Sequence, residues 1–158
     1  MTIAVGDVAP GFELRGVDGS TGEEGTWSLA QFRGRPVVLA FYPADNTPVC
    51  TQQLRAYTAE LDRFEAHDAQ VLALSPQGPD THRGFAKANG GFGFPLLSDE
   101  DRAVARAYDV LGLLDLYRRT IVVVDAEGTV AWIHRSFGGG ITFQGVEGIL
   151  AHLPGAAG

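Results

Sequence analysis

The hydrophobic positions change period along this chain, and the changes mark its elements. Phe12 and Leu14 alternate with Glu13 and Arg15, which predicts a short strand. Residues 17–20 (VDGS) supply turn types, so the opening 34 residues predict an entry segment with a hairpin. Ser28, with Gln31 three residues later, forms a capping box that opens a short helical turn over residues 29–32. Residues 36–42 (PVVLAFY) are continuously apolar and β-rich, the pattern of a central strand buried on both faces. A polar loop follows Pro43. From Cys50 the period becomes helical: Leu54, Tyr57, Leu61 and Phe64 share one face, with Gln52, Arg55, Glu60 and Arg63 opposite.

The same reading continues to the end. Residues 71–74 predict a strand stopped by Ser75-Pro76. Residues 79–88 predict a helix ending at Asn89-Gly90. Residues 94–97 predict a third strand and 101–108 another helix. Asp99-Glu100-Asp101 is the acidic pattern of an exposed helix start. Residues 119–124 (RTIVVV) and 129–135 are strands joined by the turn Asp125-Ala126-Glu127-Gly128. Gly138-Gly139-Gly140 predicts a loop, residues 143–153 a closing helix, and the last five residues a frayed tail. Without internal repeats, this order implies one domain over residues 1–158, a three-layer α/β fold with a mixed sheet.

Composition narrows the function classes. With 158 residues, 45% of them apolar, one sizeable core is expected. A formal net charge of −7, with scattered lysines and arginines, argues against nucleic acid or an anionic membrane as partner. Neither a leader-like start nor a membrane-length apolar run is seen. The single cysteine excludes an internal disulfide and fits a reducing, cytoplasmic setting. The four histidines, His67, His82, His134 and His152, lack metal-ligand spacing and read as solvated. The triple glycine lacks the Lys-Ser/Thr of a phosphate loop.

Chemistry concentrates on Cys50. A lone cysteine is most often a small buried hydrophobe. This one instead follows the end of a buried strand and opens a helix, among Thr47, Pro48, Thr51 and Gln52. Amides of a first helical turn have no intrahelical partner, and with the macrodipole they favour negative charge. A thiolate is stabilised there, and the thiolate is the nucleophilic form. Loops after the carboxyl ends of buried strands are also where α/β proteins place their sites. Taken singly, the neighbours have plainer readings: Thr47 an N-cap, Pro43 a strand terminator, Arg119 a surface charge.

Residues 43–50 (PADNTPVC) resemble the peroxiredoxin pattern Pro-x-x-x-Thr/Ser-x-x-Cys. The wider string FYPADNTPVCTQQ is similar to the branch named for peroxiredoxin Q or bacterioferritin comigratory protein. GDVAPGFELRGVDG, FPLLSD and RRTIVVVDAEGTV resemble further family segments in the same order. The resemblance implies a thioredoxin-like fold with an amino-terminal hairpin extension. It also implies a thiol-dependent peroxidase, acting on hydrogen peroxide and organic hydroperoxides with neither cofactor nor metal. Cys50 would be the peroxidatic nucleophile, Thr47 its hydrogen-bonding partner and Pro43 its shield. Arg119, six residues before Asp125, would be the fixed positive charge rather than Arg118, and Gln53 would support Arg119. Three departures stand out. Arg55 occupies the place where many relatives carry a second cysteine, Val49 stands for a frequent Gly, and Val122 for a frequent Phe. Regeneration then needs an external thiol, whether thioredoxin, a glutaredoxin-like protein or a low-molecular-weight thiol. A monomer or weak homodimer is expected. The missing second cysteine also leaves room for a redox sensor that oxidises at Cys50 without turnover. The absence of Cys-x-x-Cys speaks against a disulfide oxidoreductase.

Overall fold

The computed structural model describes residues 3–136 and 143–153. The elements run β1 (Glu13–Asp18), β2 (Glu24–Ser28), a 3-10 turn (Leu29–Phe32), β3 (Val37–Phe41), α1 (Pro48–Ala59), α2 (Leu61–Glu65), β4 (Gln70–Ser75), α3 (Pro79–Ala88), β5 (Pro95–Ser98), α4 (Ala103–Ala107), β6 (Thr120–Val124), β7 (Val130–Arg135) and α5 (Val146–Leu150). The seven strands form one sheet in the order β2-β1-β5-β4-β3-β6-β7. β3 runs parallel to β4 and β4 to β5, while β6 is antiparallel to β3 and β7 to β6. The sheet is therefore mixed, as the segment order implied.

The continuous apolar run of β3 sorts onto two faces because side chains alternate along a strand. Val38, Ala40 and Tyr42 enter one buried cluster, with Leu54 and Tyr57 of α1, Phe64 of α2, Phe85 of α3 and Ile149 of α5. Val37, Leu39 and Phe41 enter the other, with Val104 and Ala105 of α4 and Leu29 of the 3-10 turn. Helices thus cover both faces, and every residue of β3 and β6 is buried.

Several boundaries differ from the sequence expectation for physical reasons. β1 continues to Asp18 because it pairs with β5 as well as β2. Gly16 is required there: a Cβ would stand 2.3 Å from the carbonyl oxygen of Leu96. The turn follows, held by the Asp18 carboxylate, which accepts from the Ser20 amide and hydroxyl. The capping box at Ser28 and Gln31 is formed in both directions. α4 starts at Ala103, after Arg102 in the left-handed region. Asp99 is not an exposed helix start. It is buried, accepting from the amides of Val104 and Ala105 and from the Tyr117 hydroxyl. α5 is shorter than expected: the segment before it is tied to α1, where Tyr57 meets the Phe143 ring edge-on and donates to the carbonyl oxygen of Gln144. The predicted Gly138–Gly140 loop lies outside the described residues.

All four tyrosines of the chain are held above the usual phenol range, burial being the largest cause at each. Below about pH 10 the phenols stay protonated folded or unfolded, and their contribution to stability is complete. Above it the unfolded chain sheds protons that the folded chain keeps, so stability falls as pH rises. The expected outcome is that tyrosinate absorbance appears in one cooperative step together with loss of helical circular dichroism. Titration of the phenols well before that loss would contradict the burial.

Candidate functional site

The strand register brings the site together. β3 and β6 pair antiparallel with Phe41 opposite Thr120. The residues just beyond, Tyr42 and Pro43 on one strand and Arg119 on the other, therefore leave the sheet at the same edge. Past Pro43 the loop turns through Asn46, whose φ is 62°. It enters α1 with Thr47 at the N-cap position and Pro48 in the first turn, where a proline lacks only an N–H that would have no partner. Cys50 is the third residue of the helix.

Cys50 is 1% exposed and packs in the cluster with Tyr42 and Leu54, so in burial alone it matches the hydrophobic reading. Its polar surroundings do not. The Nη2 of Arg119 donates to Cys50 Sγ at 3.3 Å, and Arg119 is itself only 4% exposed. The Nη1 of the same guanidinium donates to Gln53 Oε1 at 2.6 Å. Gln53 Nε2 donates to the Tyr57 hydroxyl at 3.0 Å, and that hydroxyl donates onward to Gln144 O. A chain of hydrogen bonds thus runs from the sulfur to the backbone ahead of α5. Gln53 is fully buried on the helix face that carries Cys50, one turn on. Being neutral, it orients the guanidinium without cancelling its charge beside the sulfur.

The two adjacent arginines part company as strand alternation requires. A Cβ built on Gly112 would lie 3.9 Å from Arg118 Nε, so the Arg118 side chain lies against Gly112 while Arg119 turns to the sulfur. Thr47 holds the N-cap position without a side-chain capping bond. Its hydroxyl donates to the carbonyl oxygen of Ala44 at 3.3 Å, and its own carbonyl oxygen accepts from the Thr51 amide and hydroxyl. Pro43 is half-buried at the exit of β3.

Beneath the loop lie residues that the hydrophobic pattern did not single out. The Tyr42 hydroxyl donates to Asp45 Oδ1 at 2.6 Å. Asp45 Oδ2 is 2.7 Å from His82 Nδ1, and both side chains are fully buried. His82 is therefore not solvated. Its position on α3 carried the signal: with Phe85 and Ala86 it forms the inward face of that helix. Burial is the first cause of the raised Tyr42 phenol and Asp45 the second, with a smaller effect from Cys50. Among the described residues no group of three or more His, Cys, Asp or Glu is placed to hold a metal ion. No described helix is long and apolar enough to cross a membrane.

A model of the AhpC/TSA family matches residues 5–133. The chloroplastic peroxiredoxin Q of Gentiana triflora is 36% identical over 138 residues, which are 85% of this chain and 60% of that protein. A putative peroxiredoxin of Mycobacterium tuberculosis is 38% identical over 132 residues, covering 79% of this chain and 80% of the relative. Reduced 2-Cys peroxiredoxin of Plasmodium vivax superposes with a TM-score of 0.82 at 31% identity, over 92% of this chain and 91% of the other. Bacterioferritin comigratory protein of Xanthomonas campestris, whose structures address alkyl peroxide reduction, superposes with a TM-score of 0.71 at 28% identity, over 79% and 81%. The fold is thus the thioredoxin-like α/β fold of the peroxiredoxins, and the chain belongs to the AhpC/TSA family. Within it the chain is of the peroxiredoxin Q or bacterioferritin-comigratory type, in a one-cysteine variant. It spans about 60% of the length of the Gentiana, wheat and poplar relatives it matches.

The Gln53 bridge makes a stability prediction. Gln53→Leu removes the bond that Arg119 Nη1 donates to Gln53 and the one that Gln53 donates to the Tyr57 hydroxyl. Urea unfolding should show a loss of about 1–3 kcal/mol, the scale for losing buried hydrogen bonds that include a charged donor. A variant as stable as the parent would mean that the bridge carries no net energy.

Proposed function

We propose that this chain is a thiol-dependent peroxidase that reduces hydrogen peroxide and organic hydroperoxides at Cys50. The observation that carries this reading is the arginine nitrogen 3.3 Å from the sulfur, inside the first turn of α1. Family membership and the alkyl peroxide chemistry of the Xanthomonas relative support it.

In the first step the Cys50 thiolate attacks the nearer peroxide oxygen in line with the O–O bond. The S–O bond forms and the O–O bond breaks, with its electron pair leaving on the far oxygen. Sulfur is oxidised to a sulfenic acid, and the far oxygen, reduced and protonated, departs as water or alcohol. The barrier falls in proportion to the donors aimed at that oxygen. Arg119 and the Cys50 amide supply two. The Thr47 hydroxyl, three residues away at the helix entrance, supplies a third once it turns from Ala44 to the peroxide. Pro43 narrows the approach to the sulfur, and Gln53 holds Arg119 in line. With the sulfur nearly buried, a small oxidant is favoured over a bulky one.

The second step needs a partner. The sequence holds no other cysteine, so the sulfenic acid cannot close an internal disulfide. An external thiol condenses with it: its sulfur displaces the sulfenic oxygen, which takes up the thiol proton and leaves as water, and a mixed disulfide forms. A second thiol then frees Cys50 and leaves as the oxidised pair. Thioredoxin, a glutaredoxin-like protein or a low-molecular-weight thiol fits this step. A reducing, cytoplasmic setting belongs to the same reading, supported by the lone free thiol, and a monomer or weak homodimer is proposed with it. The rival reading that the missing second cysteine suggests is a sensor that oxidises once, and family membership does not favour it. Peroxide consumption beyond one equivalent per chain, with thiol in excess, marks the enzyme, whereas arrest at one equivalent marks the sensor.

Cys50→Ser should abolish peroxide consumption. Arg119→Ala should slow the reaction with peroxide by about tenfold or more, equivalent to about 1.4 kcal/mol of barrier. Arg118→Ala is the control and should keep the parent rate. Stopped-flow fluorescence measures all three, and an Arg119 variant at the parent rate would remove that residue from the mechanism.

A further inference from the structure

The buried groups under the active-site loop have no part in the electron movements above, yet they hold the loop from three sides. Tyr42, at the end of β3, donates to one oxygen of Asp45. His82, on α3, meets the other at 2.7 Å. The Asp45 amide donates to Gln77 Oε1 at 3.2 Å, from the connection between β4 and α3. His82 is anchored in turn: its Nε2 lies 3.0 Å from the carbonyl oxygen of Leu97 in β5. A carbonyl oxygen only accepts, so Nε2 carries a proton and donates it. One further proton then lies between Nδ1 and the carboxyl. Every member of the row is matched, and the row spans three strands or helices that meet at the loop.

Such a row is costly to bury. Apolar side chains of like volume would fill the same space without desolvating a carboxyl and an imidazole, often with no loss of stability. What apolar packing could not do is fix a direction. Asp45 sits two residues before Thr47 and five before Cys50, on the far side of a backbone turned through the left-handed region at Asn46. Locking its carboxyl from two sides sets the course of the 43–47 segment, and with it the place of the Thr47 hydroxyl and of the first amides of α1.

We propose that His82 and Asp45, with the Tyr42 hydroxyl, are positioning residues for peroxide reduction, fixing the loop so that the donors around Cys50 meet the leaving oxygen. The inference rests on the peroxidase reading. It assigns these side chains no contact with peroxide, so their effect is on the reaction that needs aligned donors and not on the sulfur's access to a simple electrophile.

The test compares two reactions of Cys50 in the purified chain: oxidation by hydrogen peroxide, and alkylation by iodoacetamide, which needs no donors for a departing oxygen. Asp45→Ala and His82→Phe should slow the peroxide reaction by about tenfold or more, the scale of loss from small misplacements of reacting groups. Alkylation should stay within about threefold of the parent. Asp45→Asn should recover most of the peroxide rate, because its amide can accept from Tyr42 and donate to His82 Nδ1. Tyr42→Phe, which removes one oxygen and keeps the ring packing, should fold even if the other variants do not, and should slow peroxide selectively. Peroxide rates at the parent level in the soluble variants would overturn the proposal. So would a parallel fall in both reactions, or failure of Asp45→Asn to recover. A parent chain inert to peroxide would instead sink the peroxidase reading beneath it.

Discussion

The structure turns on a charged donor held against a nearly buried sulfur. A guanidinium stands 3.3 Å from Cys50 Sγ, itself removed from solvent and therefore in need of its own anchors. Gln53 is one, and through Tyr57 it passes the anchoring to the backbone before α5. An acidic residue in place of Gln53 would hold the guanidinium as firmly but compete with the sulfur for its charge. A neutral carbonyl oxygen separates orientation from neutralisation.

This arrangement depends on one feature of the sheet. Cys50 and Arg119 lie 69 residues apart in the chain. They meet because β3 and β6 are antiparallel neighbours, in a register that releases Tyr42 and Arg119 at one edge. Shifting that register by one residue would turn Arg119 to the opposite face and bring Arg118 to the sulfur. The dense apolar pairing of the two strands, buried on both sides, makes such a shift costly. The core therefore does more than stabilise the domain, since its register selects which arginine faces the sulfur.

Two buried polar systems flank the sulfur. One runs through Arg119 and Gln53 toward α5, the other through Tyr42, Asp45 and His82 toward α3 and β5. Each joins the short stretch of residues 42–53 to elements distant in sequence. A loop between a strand and a helix is ordinarily a mobile part of an α/β protein. Here side chains on both sides restrain it, as a site with little tolerance for misplacement needs.

The sequence by itself determined the order of strands and helices, the mixed α/β class and the position of Cys50 at a helix entrance. Those follow from hydrophobic period, turn residues and capping patterns, which act over a few neighbours. The string around Cys50 also carried the family resemblance. It did not reveal that Asp99 and His82 are buried, because charged and imidazole side chains default to solvent and only distant partners reverse that default. Tyr117 and the α4 amides do so for Asp99, and Asp45 and Leu97 O for His82. Nor could it set where β1 and α5 begin and end, since their limits depend on β5 and on Tyr57. Local preference is written in adjacent residues. Burial of charge, strand register and hydrogen bonds across dozens of residues exist only once the chain has closed on itself, and the tertiary structure alone decided them.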